Sequence, residues 1–197
     1  MLPAADGCRD AGAAQYDRRV ASEYKHAVIR PARPEDVEAI AALHLASWRT
    51  AYRGFLPDEF LSGITLESRI VRWRQALDPL TSPLTETTVA DAGGTVLGVC
   101  SFGPRRQPAS ATVAEVYALH IRPDVTRRGL GNALLDDALR RLAARGCSTS
   151  VLWVLRDNAN ARRFYEAQGW AFTGEEVVED RSGYAIPETR YAITIDG

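Results

Sequence analysis

The chain has 197 residues, 46% apolar and 25% charged, with a formal net charge of −1. Those values suit one soluble globular domain with a substantial core and argue against a nucleic-acid partner, which calls for a basic excess. Three scattered cysteines, Cys8, Cys100 and Cys147, and three scattered histidines give neither a disulfide framework nor metal-ligand spacing, so no metal is expected.

Residues 1–24 carry Ala, Gly, Asp and Arg without periodicity and read as a flexible tail, leaving 25–197 as the folded domain. They contain no apolar signal segment, and no run in the chain is long enough to cross a bilayer, so a cytoplasmic protein without a membrane partner is expected. His26–Arg30 reads as a strand closed by Pro31 and Pro34. Asp36 is placed to cap the next helix, in which Val37, Ile40, Ala41, Leu45 and Trp48 form an apolar stripe. Gly54 and Pro57 end that segment. A second helix spans Leu66–Leu77, capped by Thr65, with Ile70, Trp73 and Leu77 facing inward.

The period then shortens to two. Thr87–Asp91 and Thr95–Phe102 read as a hairpin turning at Ala92–Gly94, and Ala114–Ile121 as a third strand. A helix over 131–144 follows, with Leu134, Leu135, Ala138, Leu139 and Leu142 on one face and Gly146 just past its end. Ser148–Leu155 reads as a buried strand, Ala159–Gln168 as a short helix, and Trp170–Phe172 and Ala185–Ile195 as the last strands. Strands Ala114–Ile121 and Ser148–Leu155 are joined through a helix and should be parallel. The pattern is an α/β chain of the α+β type.

Arg127-Arg128-Gly129-Leu130-Gly131 opens the 131–144 helix. Unpaired first-turn amides, the positive end of the helix dipole and two arginines make a cradle for phosphate. Glycines without a Cβ let a ligand approach the backbone. The dinucleotide fingerprint is broken, because Leu134 stands at the third glycine position, and no Gly-Lys-Ser/Thr follows for a P-loop. A solvated strand-to-helix turn is the plainer alternative.

Downstream stands Asn158-Ala-Asn-Ala161-Arg-Arg-Phe164-Tyr165-Glu-Ala-Gln-Gly169-Trp170. This segment resembles motif B of the GCN5-related N-acetyltransferases, with Trp170 where phenylalanine is commonest. Ile121-Arg-Pro-Asp-Val-Thr-Arg-Arg-Gly129-Leu-Gly131-Asn-Ala-Leu-Leu135 resembles their motif A, although Thr126 stands where the family's loop often has Gln or Arg. Ile29-Arg-Pro-Ala-Arg-Pro-Glu-Asp-Val-Glu-Ala-Ile40 is similar to the family's first strand and helix. The resemblance spans about residues 27 to 195.

The resemblance implies a mixed central sheet of about six to seven strands with flanking helices, its fourth and fifth strands parallel and splayed. It implies acetyl-CoA, or another acyl-CoA, as co-substrate and no metal. Backbone groups of Leu119, His120 and Ile121 would pair with the pantetheine amides. Amides from Arg127, Arg128, Gly129, Leu130, Gly131, Asn132 and Ala133 would hold the pyrophosphate. Asn158 would contact the coenzyme nearer its acyl end, and Tyr165 would face the sulfur and serve as the acid, the alternative being a half-buried anchor. Glu115 is charged on an otherwise apolar strand. It is read as the base or as the partner of an arginine such as Arg190, with His120 second, on the opposite face by alternation. Trp48 and Tyr52 either wall the acceptor pocket or serve as core and rim. Direct transfer in a ternary complex to a small polar amine is expected, a protein N-terminus or lysine being the second reading. A sensor that binds acyl-CoA without turnover is the rival, and a homodimer stays open.

Overall fold

Strands form where β-branched and aromatic residues cluster: β1 Val28–Pro31, β2 Glu86–Ala92, β3 Thr95–Pro104, β4 Val113–Ile121, β5 Thr149–Leu155, β6 Ala171–Arg181 and β7 Tyr184–Thr194. Helices α1 Val37–Ala51, α2 Asp58–Gly63, α3 Leu66–Leu77, α4 Leu130–Ala144 and α5 Ala159–Ala167 intervene. The computed structural model describes residues 26–106, 110–181 and 183–195; the tail expected over 1–24 lies outside them.

The seven strands form one sheet in the order β1-β2-β3-β4-β5-β7-β6. Every pairing is antiparallel except β4 with β5. The crossover through α4 produces that parallel pair, as the sequence predicts. One face of the sheet buries Leu97, Cys100, Phe102, Val116, Leu152 and Tyr191 together with Leu134, Leu135, Ala138 and Leu142 of α4. On the other face, Val89 and Val99 pack with Ile40 and Ala41 of α1 and Trp73 of α3. A third cluster joins Trp48, Leu56, Leu61 and Ile64 to Leu155 of β5 and Ile186 of β7.

Several local expectations change. Asp36 does not cap α1 with its side chain. It closes a 3₁₀ turn, Pro34–Asp36, and accepts two hydrogen bonds from the Arg30 guanidinium at 2.7 and 2.9 Å. Thr65 does cap α3, its hydroxyl accepting from the Ser68 amide at 3.2 Å. Helix α2 is an addition, and β6 runs to Arg181 where the sequence suggested a strand ending at Phe172. His44 of α1 is buried.

One irregularity alters the site. Ser101 pairs with Ala118, yet Phe102 pairs with Val116, so Tyr117 is an extra residue on β4. A bulge inverts the alternation beyond it. Glu115 and His120 therefore project from the same face of the sheet, not from opposite faces as unbroken alternation would have it.

Candidate active site

The parallel register of β4 and β5 runs from Val113↔Thr149 to Val116↔Leu152 and stops. β4 continues to Ile121 and β5 to Leu155 without further pairing to each other, while β5 stays paired with β7 to its end. Two strands thus part in mid-sheet. A cleft of about 890 Å³ opens there, lined in part by Leu119 and His120 of β4, Trp153 and Val154 of β5, and Asn158 and Tyr165 of α5. Parted strands present main-chain amides and carbonyls to whatever lies between them, which suits an extended molecule with amides of its own.

At the cleft's flank is the glycine corner. Gly129 is the N-cap of α4 with φ +82° and no side chain to cap the helix, and Arg127 also has positive φ, at 59°. Thr126, Arg127, Arg128 and Gly129 are exposed. A Cβ built on Gly129 would meet nothing within 4 Å. Its glycine is explained by the left-handed backbone. The first-turn amides of Leu130, Gly131 and Asn132 have no intrahelical acceptor, whereas the Ala133 amide donates to the Gly129 carbonyl at 3.0 Å. Ala133 therefore contributes the first helical hydrogen bond instead of an amide for a ligand.

Gly131 has a different reason to be glycine than the one expected. A Cβ there would lie 3.2 Å from the Phe164 ring of α5. The missing side chain lets α4 and α5 close on each other, which brings Phe164 against the corner.

Tyr165 lines the cleft, with its ring in edge contact with Phe164 and Trp170. Burial, helped by the nearby Cys100 and Tyr52, pushes its phenol above the ordinary tyrosine value. The hydroxyl thus holds its proton throughout the physiological range and is available as a donor. Asn158 also lines the cleft, and its side-chain oxygen caps α5 by accepting from the Ala161 amide at 3.1 Å. Burial pushes the Cys100 thiol well above its usual range, the opposite of what a nucleophilic thiolate requires.

Glu115 is 3% exposed, and its carboxylate is engaged by Arg106. The Arg106 amide donates to one oxygen at 3.1 Å and its Nε to the other at 3.0 Å, with the guanidinium Nη2 on that same oxygen. Arg106 also lies over the Tyr117 ring, 4.9 Å from the centroid. The expectation of an arginine partner is met by Arg106, not by Arg190, which bonds Glu175 and Thr173. Arg106, rather than Glu115, reaches the cleft lining.

Beyond the parted strands the cleft widens between α1, α2, α3 and β7. Trp48 and Tyr52 stack at 4.4 Å, and Phe60 meets Tyr184 at 4.8 Å. His44 and His120 stack at 4.2 Å with an interplanar angle of 19°. Trp73 Nε1–H donates to His44 Nδ1 at 2.9 Å, and Ser47 Oγ is 3.4 Å from His120 Nδ1. Burial, with Arg72 and Arg69 nearby, pulls His120 down to about 4, and burial pulls His44 lower still, so both rings are neutral near pH 7. Glu188 of β7 is buried in this wall. The sequence signal for it was a carboxylate on the same strand face as Ile186, a face otherwise turned to the core.

The comparisons agree with this geometry. Residues 38–170 match the family model described as the Acetyltransferase (GNAT) family. The uncharacterized N-acetyltransferase YuaI of Bacillus subtilis (strain 168) is 32% identical over 153 residues, covering 77% of this chain and 82% of the relative. The crystal structure of PaiA N-acetyltransferase from Thermoplasma acidophilum in complex with coenzyme A superposes with a TM-score of 0.61 at 21% identity, covering 83% of this chain and 97% of that one. An N-acetyltransferase from Staphylococcus aureus Mu50 gives a TM-score of 0.66 at 22% identity over 87% of this chain and 99% of its own.

Proposed function

The chain belongs to the GNAT family and is an N-acetyltransferase, and from that premise we propose that it moves an acetyl group from acetyl-CoA directly to a small polar amine. The observation that carries the reading is the early end of the β4–β5 register, with the glycine corner beside it and Tyr165 at the gap. The residues fit the coenzyme: first-turn amides without helical acceptors at a left-handed corner suit a diphosphate, and parted strands suit an amide-bearing arm.

Amides of Leu130, Gly131 and Asn132 bind the diphosphate, with Arg127 and Arg128 adding charge. Backbone groups of Leu119, His120 and Ile121 orient the pantetheine arm, and Asn158 closes its acyl end. Acetyl-CoA supplies an acyl group activated as a thioester. A β4 amide stabilises charge on the carbonyl oxygen. As the C–N bond forms and the C–S bond breaks, Tyr165 donates a hydrogen bond to the departing sulfur, and the proton that the acylated nitrogen releases ends on that thiol. Trp48 and Tyr52 wall the acceptor. The arriving ammonium sheds its proton to water in the cleft, since Glu115 is committed to Arg106.

The aromatic enclosure by Trp48, Tyr52, Phe60 and Tyr184 favours a small acceptor over a protein segment. Thiol release over a panel of amines tests the whole reading. Turnover with compact amines and none with peptides is the expected result. Binding of NAD or ATP in place of acetyl-CoA, read by calorimetry, would remove the reading.

A further inference from the structure

Resting on the role given to Tyr165, the attachment of α5 points to a residue that aims it. α5 is short, Ala159–Ala167, and none of its residues is fully buried. Ala161, Phe164 and Tyr165 are half-buried against the core. Apolar contact has no direction, so by itself it fixes the roll of so short a helix poorly.

Direction comes from one oxygen of the sheet. Arg162 Nε donates to the Tyr191 hydroxyl at 3.0 Å, and that hydroxyl donates to Glu166 Oε1 at 2.6 Å. A guanidinium has hydrogens only to give and a carboxylate only accepts, so the phenol takes one bond and gives the other. Tyr191 is 0% exposed and sits on β7 between Leu152 of β5 and Phe172 of β6, so the sheet sets its position from both sides. Arg162 and Glu166 are four residues apart and share one face of the helix. Two bonds that reach one fixed atom from successive turns oppose both roll and slide. Arg162 Nη1 also donates to the Arg156 carbonyl at 3.1 Å, which ties the same side chain to the loop before α5. Tyr165 directly precedes Glu166, so a roll of α5 would swing the Tyr165 hydroxyl at the end of its side chain.

We infer that Tyr191 is a positioning residue for acetyl transfer: its buried hydroxyl, bonded to Arg162 and Glu166, fixes the roll of α5 and with it the place of the Tyr165 hydroxyl beside the sulfur. Tyr191→Phe keeps the ring and removes both bonds. Glu166 is exposed and Arg162 half-buried, so water takes over both partners and the variant keeps its fold.

The test uses the full chain, acetyl-CoA and the best amine of the panel, followed by thiol release. In Tyr191→Phe kcat should fall about tenfold, the factor that one hydrogen bond to a charged group supplies, with acceptor KM and calorimetric acetyl-CoA affinity at wild-type values. In a Tyr165→Phe background the same change should cost nothing further, because no hydroxyl is left to aim. Glu166→Ala should repeat the loss, and Glu166→Gln, which keeps an acceptor for the Tyr191 hydroxyl, should recover most of it. Hydrogen exchange reads the tether without turnover: α5 amides should exchange about tenfold faster in Tyr191→Phe, with β7 amides unchanged. A wild-type kcat in Tyr191→Phe, an equal loss in the Tyr165→Phe background, or unchanged α5 exchange overturns this inference and leaves acetyl transfer standing. Wild-type turnover in Tyr165→Phe alone removes the role of that hydroxyl and this inference with it. Failure of the wild type to bind acetyl-CoA overturns the parent reading as well.

Discussion

Tyr165 is held in its protonated form by the packing that fixes its position, and this makes its contribution separable from binding. Tyr165→Phe keeps the ring contacts with Phe164 and Trp170 and deletes only the hydroxyl. Its kcat should fall about 10²-fold, the lower range for a positioned acid, with calorimetric acetyl-CoA affinity unchanged. Glu115 leads to a different expectation. Its buried carboxylate relies on the half-exposed Arg106, whose own amide also donates to it, so Arg106→Gln should lower stability by about 1 kcal/mol in urea unfolding. Equal stability of variant and wild type would show that the pair contributes nothing. The sequence revealed Glu115 as an anomaly needing a partner, but not which arginine, because Arg106 reaches it from a loop with no periodicity to read. His44 was hidden for another reason. Nothing in helical spacing pairs it with a strand, and only the third dimension stacks it on His120.

At the scale of elements, the two corner glycines should respond differently. Gly129→Ala meets open space but must hold a left-handed backbone, a strain of roughly 1–2 kcal/mol. It should show a lowered melting temperature together with weaker acetyl-CoA binding, because the methyl enters the space beside the first-turn amides. Gly131→Ala pushes on Phe164 and should lower kcat more than affinity, since it shifts the helix that carries Tyr165. A kcat equal to wild type in steady-state assays would show that α5 absorbs the methyl without moving. Helices α1, α3, α4 and α5 were legible from their apolar period, α3 from its Thr65 cap as well, and the hairpin of β2 and β3 from its alternation and Gly-Gly turn. The bulge at Tyr117 was not, because one extra residue leaves composition unchanged while reversing which side chains share a face. Strand β6 was underread for a related reason. It lies at the sheet edge, its register shifts between Phe172 and Glu176, and its residues there are exposed, so no apolar alternation marks it.

For the whole molecule, the neutral histidines set a pH dependence. In the unfolded chain a histidine takes a proton near 6.5, whereas folded His120 resists until about 4 and His44 resists further. The unfolded state therefore binds more protons in that window, and stability must fall as pH drops from 6.5 toward 4. Urea midpoints at pH 7 and pH 5 should differ accordingly; coincident midpoints would contradict burial of uncharged rings. Asp36, held below its ordinary value by Arg30, adds a loss at still lower pH. The architecture itself was readable as a whole because three motifs in the right order carried a resemblance, and the family match confirms it. The sheet's interruption has one more consequence. Among the described residues, four backbone pairs, Val113↔Thr149 to Val116↔Leu152, join β1–β4 to β5–β7. Trp48, on the helix that rests against the first half, also packs on Leu155 and Ile186 of the second. Whatever occupies the seam touches both halves at once, so its binding should raise the unfolding midpoint of the whole domain.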